Sequence, residues 1–257
     1  MRFFIKKPTF EAKNALKNYY RDKKDKADWN DNTFDKAVVR TSLVMEQGYL
    51  CAYCMQRIDD AHTTTIEHWE DRARLKELGH IQKIFEYDNL LAVCKGHLYH
   101  SDGKDKHCDA SRSDGNRPLS LKPCASKTLE GVSYLRNGRI YAKCALNEVE
   151  MKVNLHCAHY AEKKDKPFCD KGQVCGHCDL ECDKGLNINL LQLMENRKKV
   201  LMDLQNQLER FCKSSDFEKN ESLKRRIVTN FLKPDEDGRL PSYAGIIEFF
   251  YKKYLNK

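Results

Sequence analysis

The sequence lacks any long apolar segment. A membrane-spanning helix requires about 18 successive apolar residues, and no run approaches that length. The first eight residues hold only three apolar residues in succession, which is too few for the core of a signal peptide. Apolar residues make up 40% of the 257-residue chain and charged residues 33%, and the mean hydropathy is -0.75. We therefore expect a cytoplasmic protein without a membrane partner.

Acidic residues are in the minority, since 38 Asp and Glu stand against 46 Lys and Arg, for a net charge of +8. This balance suits a polyanionic partner such as nucleic acid but does not establish one. The excess is marked in residues 1–40, where the plainer interpretation of the charge is a solvated helix face and the more specific one is a surface for phosphates.

Cysteine, by contrast, is abundant, with twelve residues. In a reducing cytosol so many thiols are more typical of metal sites than of disulfides. The two-residue gap of Cys51 and Cys54 lets both thiolates face one ion, and Cys94 and Cys108 supply the remaining ligands of a tetrahedral zinc site. His97 is the alternative to Cys108, because it forms a C-x2-H pair with Cys94. A redox role for the first pair is less favoured, since no βαβ pattern surrounds it.

A second group of cysteines lies in the stretch 156–182, which is also rich in histidine. Its apolar content is too low for it to fold without a metal. The spacing predicts a second structural zinc site, with the ligands Cys169, Cys175, Cys178 and Cys182.

Helical periodicity and turn residues place the secondary structure. We expect a helix over 33–47, capped by Asn32 and ended by a left-handed Gly48. Residues 55–68 are typical of two short strands joined by a turn at Asp59-Asp60. Three further elements are predicted: a hairpin with a type I′ turn at Asn137-Gly138, a long helix over about 190–211, and a last helix over about 243–255.

Three polar motifs stand beside the first cysteine group, in the order Thr65-Ile-Glu67-His68-Trp69, Tyr87-Asp-Asn89-Leu-Leu and His107-Cys108-Asp109. Together with the cysteines, this order resembles HNH endonucleases with a zinc-stapled ββα-metal core. More narrowly, the chain is similar over about 45–200 to PtuB-like HNH proteins, the nucleases of Septu and retron-associated anti-phage systems. The motifs that carry this narrower likeness are Cys51-Ala-Tyr-Cys54, Ile66-Glu-His68, Asp88-Asn-Leu-Leu, Leu186-Asn-Ile-Asn and Glu195-Asn-Arg-Lys198.

The resemblance implies a role for each matching residue. His68 matches the general base that takes a proton from the attacking water, and its imidazole suits that role at neutral pH. Asn89 matches the residue that orients this base. Glu67 and Asp109 match the ligands of a catalytic Mg²⁺ or Mn²⁺, and Arg112 matches a position that can grip a phosphate.

Two of these residues depart from the family pattern. Glu67 is one methylene longer than the usual Asp, and Asp109 replaces a neutral ligand, which favours a hard cation at that site. A longer loop over 95–107 carries three histidines that are alternatives to the assigned ligands, namely His97, His100 and His107.

The function implied by the resemblance is metal-dependent hydrolysis of phosphodiester bonds, with DNA favoured over RNA. The implied partner is a PtuA-like ABC-type ATPase, in some systems together with a retron reverse transcriptase and its nucleic acid. The alternatives are a non-catalytic, zinc-stapled nucleic-acid-binding module and a thiol redox protein.

We therefore expect a mainly α-helical fold with a small zinc-stapled ββα-metal core, packed as one domain because so much loop leaves too little chain for two full cores. Four segments follow from the patterns: an N-terminal helical arm at 1–48, the HNH core at 49–122, a hairpin with the Cys/His-rich insertion at 123–185, and C-terminal helices at 186–257.

Overall fold

The computed structural model describes residues 1–59, 62–97, 106–113, 119, 121–142, 186–212 and 221–255. Helices predominate over this part of the chain, accompanied by two small antiparallel sheets. The helices are α1 Phe10–Lys23, α2 Lys36–Glu46, α3 Arg72–Glu77, α4 Ile81–Ile84, α5 Cys108–Ser113, α6 Ser126–Leu129, α7 Leu191–Cys212, α8 Glu221–Phe231, α9 Ala244–Phe250 and α10 Lys252–Leu255, with 3-10 turns at Lys24–Lys26 and Tyr87–Asn89. The strands are β1 Thr64–His68, β2 Leu90–Cys94, β3 Val132–Tyr134 and β4 Ile140–Ala142.

The first sheet pairs β1 with β2, in a register that places Ile66 opposite Ala92 and His68 opposite Leu90. Every residue of β2 is buried, because α2 and α5 both pack against this strand. The strand is accordingly a continuous apolar run rather than an alternating one. Its pairing fixes the end of β1, where Glu67 and His68 lie.

The second sheet confirms the predicted hairpin but not its turn type. Leu135 and Arg139 close the loop, since the Leu135 N–H donates to the Arg139 carbonyl at 2.8 Å. The Gly138 N–H donates to the Leu135 carbonyl at 3.0 Å, and Gly138 alone in the loop has a positive φ, of 88°. A type I′ turn would need a positive φ at Asn137 as well, so the loop has three residues and a left-handed glycine.

Helix α2 begins later than predicted. Asp35, not Asn32, caps it, because the Asp35 carboxylate accepts from the N–H groups of Ala37 and Val38. Its predicted end is confirmed: Gly48 has a φ of 64°, and a Cβ there would lie 2.5 Å from the Leu240 side chain.

The strands predicted within 55–68 are partly wrong. Arg57 forms only an isolated bridge with Leu50, and β1 pairs with the distant β2 instead of with the preceding residues. The last predicted helix is interrupted at Tyr251, and α8 was not anticipated by any pattern.

One hydrophobic core joins the N-terminal, central and C-terminal segments. Helix α9 packs against both α7 and β3, and α1 packs against α2. The buried cluster includes residues from each of these elements, for example Leu16, Leu43, Leu91, Ile140, Leu204 and Ile246. None of the helices over the described residues is long and apolar enough to span a membrane.

Candidate metal centre and adjoining cleft

Cys51 and Cys54 lie in a tight turn that follows α2. The Cys51 N–H donates to the Gln56 carbonyl at 2.9 Å, and the Met55 N–H donates back to the Cys51 carbonyl at 3.0 Å. Met55 is left-handed, with a φ of 65°, a conformation that side chains other than glycine rarely adopt. Both thiols are thereby buried on the inner side of the turn.

The C-terminal segment covers this turn from outside. The Leu240 N–H donates to the Gly48 carbonyl at 3.1 Å, and the Tyr243 N–H donates to the Met55 carbonyl at 2.9 Å. Residues almost 190 positions later in the chain therefore hold the turn in place.

The structure brings all four predicted cysteines together. Cys94 ends β2 and Cys108 begins α5, where its N–H donates to the Leu186 carbonyl at 2.8 Å. The sulfur atoms of Cys51 and Cys108 are 3.8 Å apart, those of Cys54 and Cys94 are 3.7 Å apart, and the ligand atoms of all four lie within 4.8 Å of one another.

These distances fit a tetrahedral metal site. Zinc–sulfur bonds of about 2.3 Å in tetrahedral geometry place the sulfur atoms about 3.8 Å from each other. A disulfide would bring two sulfur atoms to about 2.05 Å, far closer than the separations here. The four buried cysteines can therefore hold a metal ion such as zinc.

Of the histidines predicted as alternative ligands, the structure places His107 beside the cysteine group and His97 away from it. His107 is buried beside the group, with its Nδ1 3.3 Å from the Cys108 sulfur and 3.7 Å from the Cys94 sulfur, and its Nε2 has no hydrogen-bond partner. His97 is exposed and pairs with Lys106 in an isolated bridge. His100 and the second predicted ligand set, Cys169, Cys175, Cys178 and Cys182, lie outside the described residues.

The cysteine group favours a thiolate at Cys54. Burial opposes the charge, but hydrogen bonds from the other cysteines and from His107 outweigh it and hold the pKa of Cys54 well below its ordinary value. Burial and the hydrogen bond with Cys51 raise the pKa of Cys108 well above its ordinary value. A metal ion would remove this asymmetry, because each ligating thiol loses its proton.

A cleft of about 470 Å³ adjoins the cysteine group through Asp109, the neighbour of Cys108. Of the residues predicted for catalysis, Glu67, His68, Asp109 and Arg112 line it. The other lining residues are Trp29, Asn30, Lys36, Arg40, Thr65, Ile66, Asp71 and Arg72. The cleft therefore collects side chains from β1, α3 and α5 and from the N-terminal residues 29–40.

His68 is held in one orientation. Its Nε2 lies 3.1 Å from the Ile84 carbonyl oxygen, which can only accept, so Nε2 carries the proton and Nδ1 is the free acceptor. The ring of Trp29 meets the imidazole edge-on, with centroids 4.5 Å apart and an interplanar angle of 87°. Burial, followed by the charge of Arg72, lowers the pKa of His68 to about 3, so the imidazole is neutral at pH 7.

Asn89 lies behind His68 rather than in the cleft. Its Oδ1 accepts from the Glu70 N–H at 2.7 Å, and its Nδ2 donates to the carbonyls of Glu70 and Lys83, both at 3.2 Å. The Trp69 N–H in turn donates to the Asn89 carbonyl at 2.9 Å. These bonds tie the segment after His68 to the turn before β2 and do not reach the imidazole itself.

Glu67 and Arg112 form a buried ion pair. The Arg112 Nη1 donates to the Glu67 carboxylate and, at 2.9 Å, to the His68 carbonyl, while its Nη2 donates to the Trp69 carbonyl. Burial raises the pKa of Glu67 to about 7, with Arg112 opposing the rise and Asp109 reinforcing it. The Arg112 donors predicted for a phosphate are thus directed at protein acceptors.

Sequence reasoning missed Trp29, Lys36, Arg40 and Arg72 as cleft residues. No spacing rule links them to the three polar motifs, and the positive charge of residues 1–40 was the only signal for Lys36 and Arg40. It also missed the burial of Arg197 within the α7 stripe, where its guanidinium donates to the carbonyls of Gly138 at 2.6 Å and Ile188 at 2.7 Å.

The chain was compared with known proteins. No family model matches it, and no curated protein matches it.

Proposed function

We propose that this protein is a metal-dependent endonuclease of the HNH type, which hydrolyses phosphodiester bonds in nucleic acid, with DNA favoured over RNA. One observation carries the proposal: a neutral histidine, His68, and two carboxylates, Glu67 and Asp109, line the same cleft next to a four-cysteine metal centre. Glu67 and His68 come from β1, and Asp109 comes from α5, the short helix that follows the β1–β2 pair, an arrangement that supports a ββα-metal core.

His68 acts as the general base. Its Nδ1 takes a proton from the water that attacks phosphorus, while Nε2 keeps its own proton on the Ile84 carbonyl. The lowered pKa keeps the ring unprotonated at pH 7, but it also makes the imidazole a weaker base than free imidazole. Trp29 and the Ile84 carbonyl restrict the imidazole, so that little orientational freedom is lost when substrate binds.

Glu67 and Asp109 are the residues that would hold a Mg²⁺ or Mn²⁺ ion. Asp109 lies close enough to Glu67 to contribute to the raised pKa of Glu67, so the two carboxylates repel each other when both are ionised. A hard divalent cation between them would offset that repulsion. When bound, the ion stabilises the charge that builds on the phosphate and the leaving oxygen. Arg112 fixes the Glu67 carboxylate in place, a positioning role rather than the phosphate contact that the sequence predicts.

The cysteine group is proposed to hold a structural zinc. Its ligands come from the turn after α2, the end of β2 and the start of α5, so one ion would fasten three segments that a short, loop-rich core cannot hold by apolar burial alone. Since Asp109 follows Cys108 directly, the same ion would also fix one carboxylate of the cleft.

On the sequence resemblance we also propose a cytoplasmic anti-phage role with an ABC-type ATPase partner. The described part of the chain offers no contact that identifies this partner, so the nuclease assay below should be run with and without it.

The direct test compares wild type with His68→Ala on DNA and RNA, with Mg²⁺, Mn²⁺ or no added divalent ion. We expect metal-dependent cleavage by wild type and a loss of at least about 10²-fold in the variant. His97→Ala is the matched control, because His97 is exposed and lies outside the cleft. Equal cleavage by wild type and His68→Ala would contradict the assignment, and nucleic-acid binding without any cleavage would favour the non-catalytic module.

A further inference from the structure

Two cations without a partner among the described residues lie on one wall of the cleft. Lys36 and Arg40 lie one helical turn apart on α2, and both line the cleft that holds His68 and Asp109. Within the described residues, neither side chain has a hydrogen bond or an ion pair, and the Arg40 Nε is buried without a partner. A third cation, Arg72, enters the cleft from the start of α3 and is held by Asn30, whose Oδ1 accepts from it at 3.2 Å.

The acidic groups of the cleft and its α2 cations come from different elements. Glu67, Asp71 and Asp109 come from β1, the N-cap of α3 and α5, whereas Lys36 and Arg40 come from α2. A guanidinium whose Nε is shielded from water without a partner is unfavourable, and an anionic ligand would satisfy it. Arg112 has no such need of an anionic ligand, because its guanidinium already pairs with the Glu67 carboxylate.

We propose that Lys36 and Arg40 bind the phosphate backbone of the nucleic-acid substrate next to the scissile phosphate. Residues four apart on a helix are separated by about 6 Å along its axis, so the two cations can contact one phosphate or two successive ones. Arginine offers a bidentate fork and lysine a point charge, both common phosphate ligands. The inference rests on the proposed function for its substrate class and assigns the N-terminal arm a part in substrate binding.

The neighbouring loop links this wall to the general base. Trp29 contacts the imidazole of His68, and the next residue, Asn30, holds Arg72. The segment that leads into α2 therefore contacts both the proposed general base and a cation of the cleft. It places Lys36 and Arg40, the proposed phosphate ligands, next to His68.

The test measures binding, not cleavage. Equilibrium binding of duplex DNA and of single-stranded DNA and RNA is followed as a function of salt in buffer without Mg²⁺ or Mn²⁺, for wild type and Lys36→Gln/Arg40→Gln. Each lost phosphate contact should reduce the slope of log K against log salt by about 0.9 on duplex DNA or about 0.7 on a single strand. The double variant should therefore bind duplex roughly 60-fold more weakly at 0.1 M salt, with the two lines converging near 1 M.

Two further variants separate charge from structure. Lys36→Arg/Arg40→Lys keeps both charges and should keep the wild-type slope. Lys199→Gln/Arg210→Gln removes the same charge from exposed positions of α7 that do not line the cleft, and should change the slope by much less.

The outcomes distinguish this inference from the proposed function. An unchanged slope in Lys36→Gln/Arg40→Gln, an equal change in the α7 control, or a wild type that binds none of the nucleic acids would overturn it. A reduced slope in a protein that never cleaves would support the phosphate grip and count against the nuclease. Cleavage by wild type with an unaltered slope in the double variant would support the nuclease and count against phosphate binding by Lys36 and Arg40.

Discussion

Replacing Cys108 by serine is expected to release the metal ion proposed for the four-cysteine centre and to lower the free energy of unfolding by at least about 4 kcal/mol. The magnitude follows from the chain length that the centre closes. Cys51 and Cys108 are 57 positions apart and Cys54 and Cys94 are 40 apart. A cross-link over a loop of either length removes about 4 kcal/mol of unfolded-chain entropy, and because loss of the ion opens both nested loops, this value is a lower bound.

Such a loss is large beside the total stability of a domain, about 5–15 kcal/mol. The assay is urea unfolding followed by tryptophan fluorescence, combined with elemental analysis of zinc. Both tryptophans report on this region, since Trp29 packs against His68 and the Trp69 Nε1 donates to the Leu121 carbonyl at 2.9 Å. We expect the zinc content to fall by one ion per chain and the urea midpoint to fall with it.

Cys124→Ser is the matched control, because Cys124 is a half-buried free thiol outside the group. It should keep the zinc content and shift the free energy of unfolding by less than about 1 kcal/mol. If Cys108→Ser retained its zinc and its urea midpoint, the assignment of this residue as a ligand would be wrong.

Three further predictions concern the cleft. Arg112→Met should lower the free energy of unfolding by about 3–5 kcal/mol, since it leaves Glu67 buried and unpaired; a smaller loss in Glu67→Gln/Arg112→Met, measured by the same urea assay, would confirm the coupling. Because the folded pKa of Glu67, about 7, lies above its ordinary value of 4.5, the protonated form is favoured by folding, and without divalent ions stability should fall as pH rises from 4.5 through 7. Urea midpoints at pH 5 and pH 8 measure this fall, and an equal fall in Glu67→Gln would assign it to another group. Asn89→Ala should lower the free energy of unfolding by about 1–3 kcal/mol and reduce cleavage, whereas unaltered cleavage by a destabilised variant would limit Asn89 to a structural role.

Much of the local structure follows from short-range signals in the sequence. The C-x2-C pair and the left-handed glycine after α2 are local patterns, and each has the expected form in the structure. The errors occur where two local signals compete. Both Asn32 and Asp35 are good caps, and only packing decided that α2 begins after Asp35.

Long-range contacts account for what the sequence left out. The Thr63–Ile66 run predicted a strand, but its partner, β2, lies more than twenty residues later and could not be read from turn residues. Arg112 matched a phosphate-binding position, yet the folded chain brings Glu67 within reach of its guanidinium. Lys36 and Arg40 belong to a charged stretch with no motif, and only the fold shows that they face the same cleft as His68.

Leu240 and Tyr243 contact the turn that holds Cys51 and Cys54, yet they are synthesised long after it. All four cysteines leave the ribosome before Leu240, which follows Cys108 by about 130 residues, or roughly 10 s of translation. During that interval the thiols stand without their later cover and are open to capture by an ion or to oxidation. Zinc supplied during translation should therefore yield more fully loaded protein than zinc added after synthesis, and equal loading would show that the late cover does not govern access.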